Sequence, residues 1–199
     1  ISNNDLKPFD QAHDGTILAE GAAALVLESE ASARERGAVC YAEIITGATA
    51  TEAAGLFSIQ SDGDNLAGLM RDTLAKENVS VSDVGLLVAH GNGNEKSDSS
   101  EAQAIQSVFG DYRVPVTAFK WSMGHTLCAS GVLDTVLASF ALQSACVPGI
   151  ANLNQLASEC AVLNAQAQTQ LILDNKPYAL LINRGFGSMN ACLVMKACG

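Results

Sequence analysis

The alternation of apolar and polar positions divides the chain into short strands and amphipathic helices. Residues 84–89 form a continuous apolar run, which is typical of a strand that is covered on both faces. Over residues 65–77 apolar side chains recur at i, i+3, i+4, i+7 and i+8, which predicts a helix with one buried face. A second helix is predicted over residues 98–110, followed by a strand over residues 114–119. Because strands and helices alternate here, the sequence predicts an α/β fold.

The first part of the chain has a weaker pattern. Residues 16–28 mix β-branched and small side chains, and we expect two short strands around Gly21. Residues 29–36 are charged and precede Gly37, which predicts a short helix that ends at this glycine. Residues 40–46 are expected to form the next strand.

The last part contains the longest apolar stretch. Residues 124–145 are mostly apolar, with polar residues between them, which predicts one long buried helix that ends before Pro148. Residues 178–182 and 190–195 are expected to be the last two strands, joined by a glycine turn.

Composition excludes several classes of protein. The 199 residues are 48% hydrophobic and only 16% charged, which supports a large core and excludes disorder. No apolar run approaches the roughly 18 residues that a membrane span needs. The net charge of −10 makes nucleic acid an unfavourable partner, because phosphate binding needs basic surface. The chain begins with Ile1 and has no leader-like pattern, so we expect a longer protein to contain it.

Six cysteines are present without a Cys-x-x-Cys pair. They are Cys40, Cys128, Cys146, Cys160, Cys192 and Cys198. A core of this size does not need disulfides, so we expect six free thiols and no zinc site.

Two histidines stand where the pattern changes. His90 ends the predicted strand 84–89 and opens a glycine loop, and ligands collect beyond the carboxyl ends of strands in open α/β sheets. His125 opens the predicted helix 124–145, where the helix dipole would keep its ring neutral and able to donate one hydrogen bond. A hydrogen-bonded loop histidine and a helix cap are the structural alternatives.

A lysine and a glutamate could complete such a site. Lys120 ends the strand that begins at residue 114, and Glu101 could pair with it if the helix packs beside that strand. The alternatives are a solvent-facing lysine and a capping box formed by Asp98 and Glu101. The glycine turn 185–188 could be a plain hairpin, or it could bring a backbone amide close to a reacting oxygen.

In order and spacing these residues resemble the carboxyl-terminal half of the β-ketoacyl-acyl-carrier-protein synthases. The matching motifs are Pro8-Phe9-Asp10 with Asp14-Gly15 and Glu20-Gly21-Ala22, AHGNGN with Asp98 and Glu101, Phe119-Lys120 with Met123-Gly124-His125, and NRGFGSMN from Asn183 to Asn190. The resemblance implies a thiolase-like fold. Residues 39–199 would be its C-terminal half, and residues 1–38 would contain the last strands of its N-terminal half.

The resemblance implies a decarboxylative Claisen condensation in fatty-acid or polyketide synthesis. By this resemblance, His90 and His125 would polarise the malonyl thioester carbonyl, and Lys120, held by Glu101, would support them electrostatically. Phe186 would gate the acyl cavity and place its backbone N–H in the oxyanion hole. Asn92 and Asn94 would contact the phosphopantetheine arm. No metal and no further cofactor is implied, because acyl carrier protein brings its substrates on phosphopantetheine. The other implied partners are the N-terminal half and a second condensing-enzyme subunit, identical or different, in a cytoplasmic setting.

Some positions depart from the family pattern. The motif of the nucleophilic cysteine is absent, so this chain alone is not expected to form an acyl-enzyme. Asn92 and Asn94 replace threonines, and Met123, Arg184 and Ser188 are further departures that concern substrate range. A non-catalytic partner of the chain-length-factor type remains an alternative. A thiolase is a weaker one, because its closing turn carries a second cysteine and this turn is GFGS.

Overall fold

A six-stranded mixed sheet forms the centre of the fold in the computed structural model, which describes residues 1–2, 4–172 and 176–198. The helices are α1 (Glu30–Glu35), α2 (Asp64–Ala75), α3 (Glu95–Phe109), α4 (Lys120–Met123) and α5 (Ser130–Gln143). The strands are β1 (Ala42–Thr51), β2 (Val84–Val88), β3 (Pro115–Thr117), β4 (Cys146–Val147), β5 (Asn164–Ala165), β6 (Gln170–Leu171), β7 (Tyr178–Gly185) and β8 (Met189–Ala197). They lie side by side in the order β1-β8-β7-β2-β3-β5, while β4 and β6 form a separate pair.

Both faces of the central strands are covered. Helices α2 and α3 pack on one face and α5 packs on the other. In β2, Leu87 belongs to the first of these two clusters, and Leu86 and Val88 belong to the second. This double burial explains why β2 is apolar throughout instead of alternating. No helix in the described ranges is long and apolar enough to cross a membrane.

Several predicted elements are confirmed within a few residues. Helix α2 buries Leu66, Leu69, Met70 and Leu74, which are the positions that the helical period selected. Ser29 caps α1, where its side chain accepts a hydrogen bond from the Ser32 N–H. Strands β7 and β8 form the expected antiparallel hairpin.

The two strands expected over residues 16–28 are absent from the described structure. The single β-bridge of this segment joins Leu18 to His125. Leu25, Val26 and Leu27 are exposed. A strand needs a neighbour to bond its backbone and cover its apolar side chains, and this segment lies on the surface of the chain.

The long helix expected over residues 124–145 is also wrong. Gly124 ends α4 with a φ of 75°, a turn of 3-10 helix follows, and α5 begins only at Ser130. The His125 N–H donates to the Ile17 carbonyl at 2.7 Å, and the His125 carbonyl accepts from the Ala19 N–H at 3.0 Å. His125 therefore uses its backbone to hold a neighbouring segment instead of starting a helix.

The expectation of six free thiols is wrong as well. Cys40 and Cys198 form a disulfide, and the other four cysteines are free. The pairing of β1 with β8 sets Ala42 opposite Ala197, which brings the two cysteine Cα atoms to 6.1 Å. Composition could not predict this contact, because it joins residues 158 positions apart.

Candidate active site

The imidazoles of His90 and His125 meet beyond the carboxyl end of β2, with ring centroids 5.2 Å apart and edge to face. His90 is 2% exposed and follows β2 directly, whereas His125 is half-buried and follows α4. The parallel bridge at Leu18 and the turn at Gly124 hold His125 in place. The structure thus brings together the two histidines that the sequence selected.

Glu101 holds the loop that carries His90. Its carboxylate accepts hydrogen bonds from the His90 N–H at 2.7 Å and the Gly91 N–H at 3.0 Å. Gly91 has a φ of 42°, and a Cβ there would lie 2.5 Å from the Cβ of Ala118, so only glycine fits. Burial raises the pKa of the Glu101 carboxyl to about 6. Glu101 therefore fixes the loop through its backbone.

Both imidazoles use the same nitrogen to accept a backbone hydrogen bond. The Nδ1 atom of His90 accepts a hydrogen bond from the Arg184 N–H, and that of His125 accepts one from the Leu127 N–H, each at 3.2 Å. In a neutral imidazole one nitrogen accepts and the other carries the proton. The site therefore holds two Nε2–H donors.

Burial and neighbouring cations keep both rings neutral. The pKa of His125 is lowered to about 4, first by burial and then by the Lys120 ammonium. Burial likewise brings the pKa of His90 well below 6.5, with further lowering by Lys120, His125 and Arg184. The predicted neutrality agrees with these shifts, but its cause is burial and not the end of a helix.

Lys120 pairs with Asp134, which corrects the predicted pairing with Glu101. The Lys120 Nζ lies 2.9 Å from Asp134 Oδ2, and both side chains are buried. Asp134 lies on α5, opposite α4, whereas the carboxylate of Glu101 faces the His90 loop. Burial raises the pKa of Asp134, although the lysine opposes that shift. The alternative of a capping box is also wrong, since Asn94 caps α3 and both Asp98 and Glu101 are buried within the helix.

The two loop asparagines have local structural contacts. The Asn94 side chain accepts from the Ser97 N–H at 3.3 Å, and the Asn92 side chain accepts from the Asn94 N–H at 3.0 Å. Asn94 is exposed and Asn92 is half-buried, so both lie at the rim of the loop. Their predicted contact with a phosphopantetheine arm stays a prediction.

Phe186 lies at the tip of the β7–β8 hairpin. Its side chain is 66% exposed, and its ring meets that of Phe57 edge to face at 5.4 Å. Arg184, two residues earlier, contacts His90 through its backbone, so the turn and the histidine pair share one strand end. The gate role of Phe186 stays a prediction.

Sequence reasoning missed Asp134 and a buried cluster around Asp98. Asp98 Oδ2 accepts from the Phe9 N–H at 2.8 Å and lies 3.0 Å from His13 Nδ1, while its Oδ1 accepts from the Gly93 N–H. Asp98 thus ties the start of the chain to the loop after His90. The motif that contains Phe9 was a usable sign of this contact, whereas Asp134 lies in an apolar stretch without any motif.

A protein-family model described as the beta-ketoacyl synthase C-terminal domain matches residues 41–154, more than half of the chain. The chain belongs to the β-ketoacyl synthase family. Among curated relatives, the ketoacyl synthase alpha subunit of tetracenomycin polyketide synthase from Streptomyces glaucescens is 31% identical over 98% of this chain. The 3-oxoacyl-acyl-carrier-protein synthase 2 of Coxiella burnetii is 30% identical over 95% of it.

Solved structures of ketosynthases share the fold of this β-ketoacyl synthase chain. A type II polyketide ketosynthase in complex with its acyl-carrier protein matches with a TM-score of 0.92 and 27% identity, over the whole chain and 50% of that structure. The ishigamide ketosynthase/chain length factor matches with a TM-score of 0.93 and 26% identity, over the whole chain and 48% of that structure. The fold is therefore thiolase-like, as expected. The chain spans 47% and 46% of the two curated relatives, about half of their length.

Proposed function

We propose that this chain is the half of a β-ketoacyl-acyl-carrier-protein synthase that activates the malonyl thioester for condensation. The observation that carries the proposal is the pair of neutral imidazoles, 5.2 Å apart, each with Nε2–H as its free donor. Residues 39–199 would form the C-terminal half and residues 1–38 the end of the N-terminal half. The family model begins at residue 41, which supports this division.

The chemistry follows from where negative charge develops. When the carbon–carbon bond to the malonyl carboxylate breaks, carbon dioxide leaves and the electron pair passes into an enolate whose oxygen becomes anionic. Two fixed N–H donors stabilise that oxygen better than water does, because they need no reorientation. The enolate carbon then attacks an acyl thioester and expels the cysteine thiolate, which leaves a β-ketoacyl thioester. The ammonium of Lys120 adds positive potential beside the donors.

The nucleophilic cysteine would come from the other half of the complete enzyme. Burial raises the pKa of the Cys160 and Cys192 thiols, to about 12 for Cys192, so neither supplies a thiolate at neutral pH. The exposed apolar side chains of Leu25, Val26 and Leu27 support the same division, since further strands of the N-terminal half would cover them.

Substrate delivery and assembly complete the proposal. Acyl carrier protein would present the thioester on phosphopantetheine past Asn92 and Asn94, and Phe186 would gate the acyl cavity. The complex of a related ketosynthase with its acyl-carrier protein supports this partner. The neighbour that is described as a ketosynthase/chain length factor supports a second condensing-enzyme subunit.

A chain-length-factor-like subunit is the second candidate, because one structural neighbour contains such a factor. A subunit that catalyses no condensation has no need for two neutral imidazole donors near the buried ammonium of Lys120. The retained pair of His90 and His125 therefore favours the catalytic candidate.

Replacing His125 by Ala in the complete enzyme tests the proposal. The change removes one donor to the enolate oxygen, and we expect carbon dioxide release from malonyl thioester to fall on the order of 10²–10³-fold. Acyl-enzyme formation, followed by mass spectrometry, should suffer less. A variant that decarboxylates at the wild-type rate would refute the role of His125, and a complete enzyme that never decarboxylates would favour the chain-length-factor candidate.

A further inference from the structure

Arg184 is a buried cation in β7, directly before the turn that carries Phe186. Its side chain is 3% exposed, and it lies opposite Asn190 in the hairpin. The guanidinium donates to Asn190 Oδ1 at 3.1 Å, to the Ser97 carbonyl at 3.2 Å and to Glu52 Oε1 at 2.8 Å. It also lies 3.4 Å from the Ser100 hydroxyl. One side chain therefore joins β8, α3 and the segment after β1.

Glu52 is an equally buried partner. Its Oε1 accepts from Arg184 and from Asn190 Nδ2, both at 2.8 Å, and its Oε2 accepts from the Gln60 N–H at 2.7 Å. A buried charge pair is retained without loss of stability only when further hydrogen bonds satisfy both groups, as they do here. Further hydrogen bonds to the guanidinium and to the carboxylate thus fix the geometry of the ion pair.

The segment 52–60 is in turn bonded to the glycine turn. The Ser188 hydroxyl donates to the carbonyls of Gly55 and Ser58, and the Gly187 N–H donates to the Leu56 carbonyl. The ring of Phe186 packs on Phe57 in the same place. The turn and this segment form one unit, and Arg184 anchors it to α3.

The same residue contacts the histidine pair. The Arg184 N–H donates to His90 Nδ1, and this contact leaves the Nε2–H of His90 free to donate. Displacement of this strand end would disturb both the ring of His90 and the turn.

We propose that Arg184 and Glu52 are a positioning pair for the condensation: their buried ion pair holds the end of β7 so that the Arg184 N–H meets His90 Nδ1 and the Phe186 turn keeps its place. The pair does not touch the reacting atoms. The inference rests on the proposed function for its kinetic consequence, but its structural consequence can be measured without activity.

The first experiment reads the ring nitrogens of His90 by NMR in the ¹⁵N-labelled chain. Wild-type His90 should show a single Nε2–H tautomer. The double variant R184M/E52Q, which leaves no unpaired charge, should show both tautomers, because the ion pair no longer fixes the strand end. The control R71M removes an exposed arginine that bonds Ser107 on the surface, and it should leave His90 unchanged. A folded double variant with a single Nε2–H tautomer would overturn the proposal.

The second experiment measures malonyl decarboxylation in the complete enzyme. R184M/E52Q should lower kcat by about tenfold and change KM by less than about threefold, since positioning is lost and binding groups remain. R184K keeps the charge without the planar fork and should lower kcat by a smaller factor; it also replaces the double variant if that variant does not fold. Wild-type kcat in the folded variant would overturn the proposal. An inactive wild-type enzyme would refute the proposed function alone, because the tautomer measurement stands by itself.

Discussion

The buried pair of Lys120 and Asp134 gives the sharpest test of the site. Both side chains are almost completely buried and their charged atoms lie 2.9 Å apart. Asp134→Asn would leave a buried ammonium without its counter-charge, a change that costs about 3–5 kcal/mol. Since a domain is stable by only about 5–15 kcal/mol, this variant should lose a large share of its free energy of unfolding.

A double-mutant cycle separates the observed partner from the one the sequence suggested. In K120M/D134N the second change should add little to the first, because the ion pair is already lost, so the coupling energy should be several kcal/mol. In K120M/E101Q the coupling should stay below about 0.5 kcal/mol, since Glu101 contacts backbone N–H groups of the other loop.

The assay is urea unfolding of the chain at about pH 7.5, followed by the fluorescence of Trp121, the single tryptophan and the neighbour of Lys120. A loss below about 1 kcal/mol in D134N would mean that the pair is exposed to water. A larger coupling of Lys120 with Glu101 than with Asp134 would refute the assigned geometry.

Three further predictions use the same unfolding assay or a thiol count. Burial lowers the pKa of His13, but Asp98 and Glu159 outweigh it and raise the pKa above 6.5. Protonated His13 therefore stabilises the fold fully below about pH 6.5, and this contribution to the free energy of unfolding is lost as the pH rises through the folded pKa. His13→Gln should abolish that decline. The denatured, unreduced chain should contain four reactive thiols, and Cys40→Ser should weaken the fold by about 2–4 kcal/mol; six thiols would exclude the disulfide. Gly91→Ala should cost on the order of 1–3 kcal/mol, because its Cβ would collide with Ala118; no loss would mean that the loop relaxes freely.

Elements whose partners are close in sequence could be predicted. Helix α2 depends on a period within 12 residues, and the hairpin of β7 and β8 depends on a short turn. The histidine pair could also be predicted, because His90 follows an apolar strand and His125 stands at the start of an apolar stretch. The family resemblance added their roles as expectations.

Contacts between distant or featureless segments could not be predicted. An apolar stretch does not reveal where Gly124 reverses the chain, so the sequence placed His125 at the start of a helix. No sequence pattern indicates that Asp134 pairs with Lys120, because the apolar period of α5 does not show which residue Asp134 faces. Spacing alone makes Glu101 a plausible partner for Lys120, but its carboxylate accepts two hydrogen bonds from the His90 loop instead.

The neutrality of the histidines favours hydrogen-bond donors over a general base. A general base works best when its pKa is near the working pH. The pKa of His125 is about 4, so its ring is a weak base at neutral pH. Burial lowers the pKa of His90 as well, with smaller contributions from Lys120, His125 and Arg184. Lys120 and Arg184 disfavour a further positive charge on the imidazoles. The same two cations stabilise a negative charge that forms between the imidazoles. The arrangement therefore suits an anion that forms on an oxygen and not a proton that leaves a substrate.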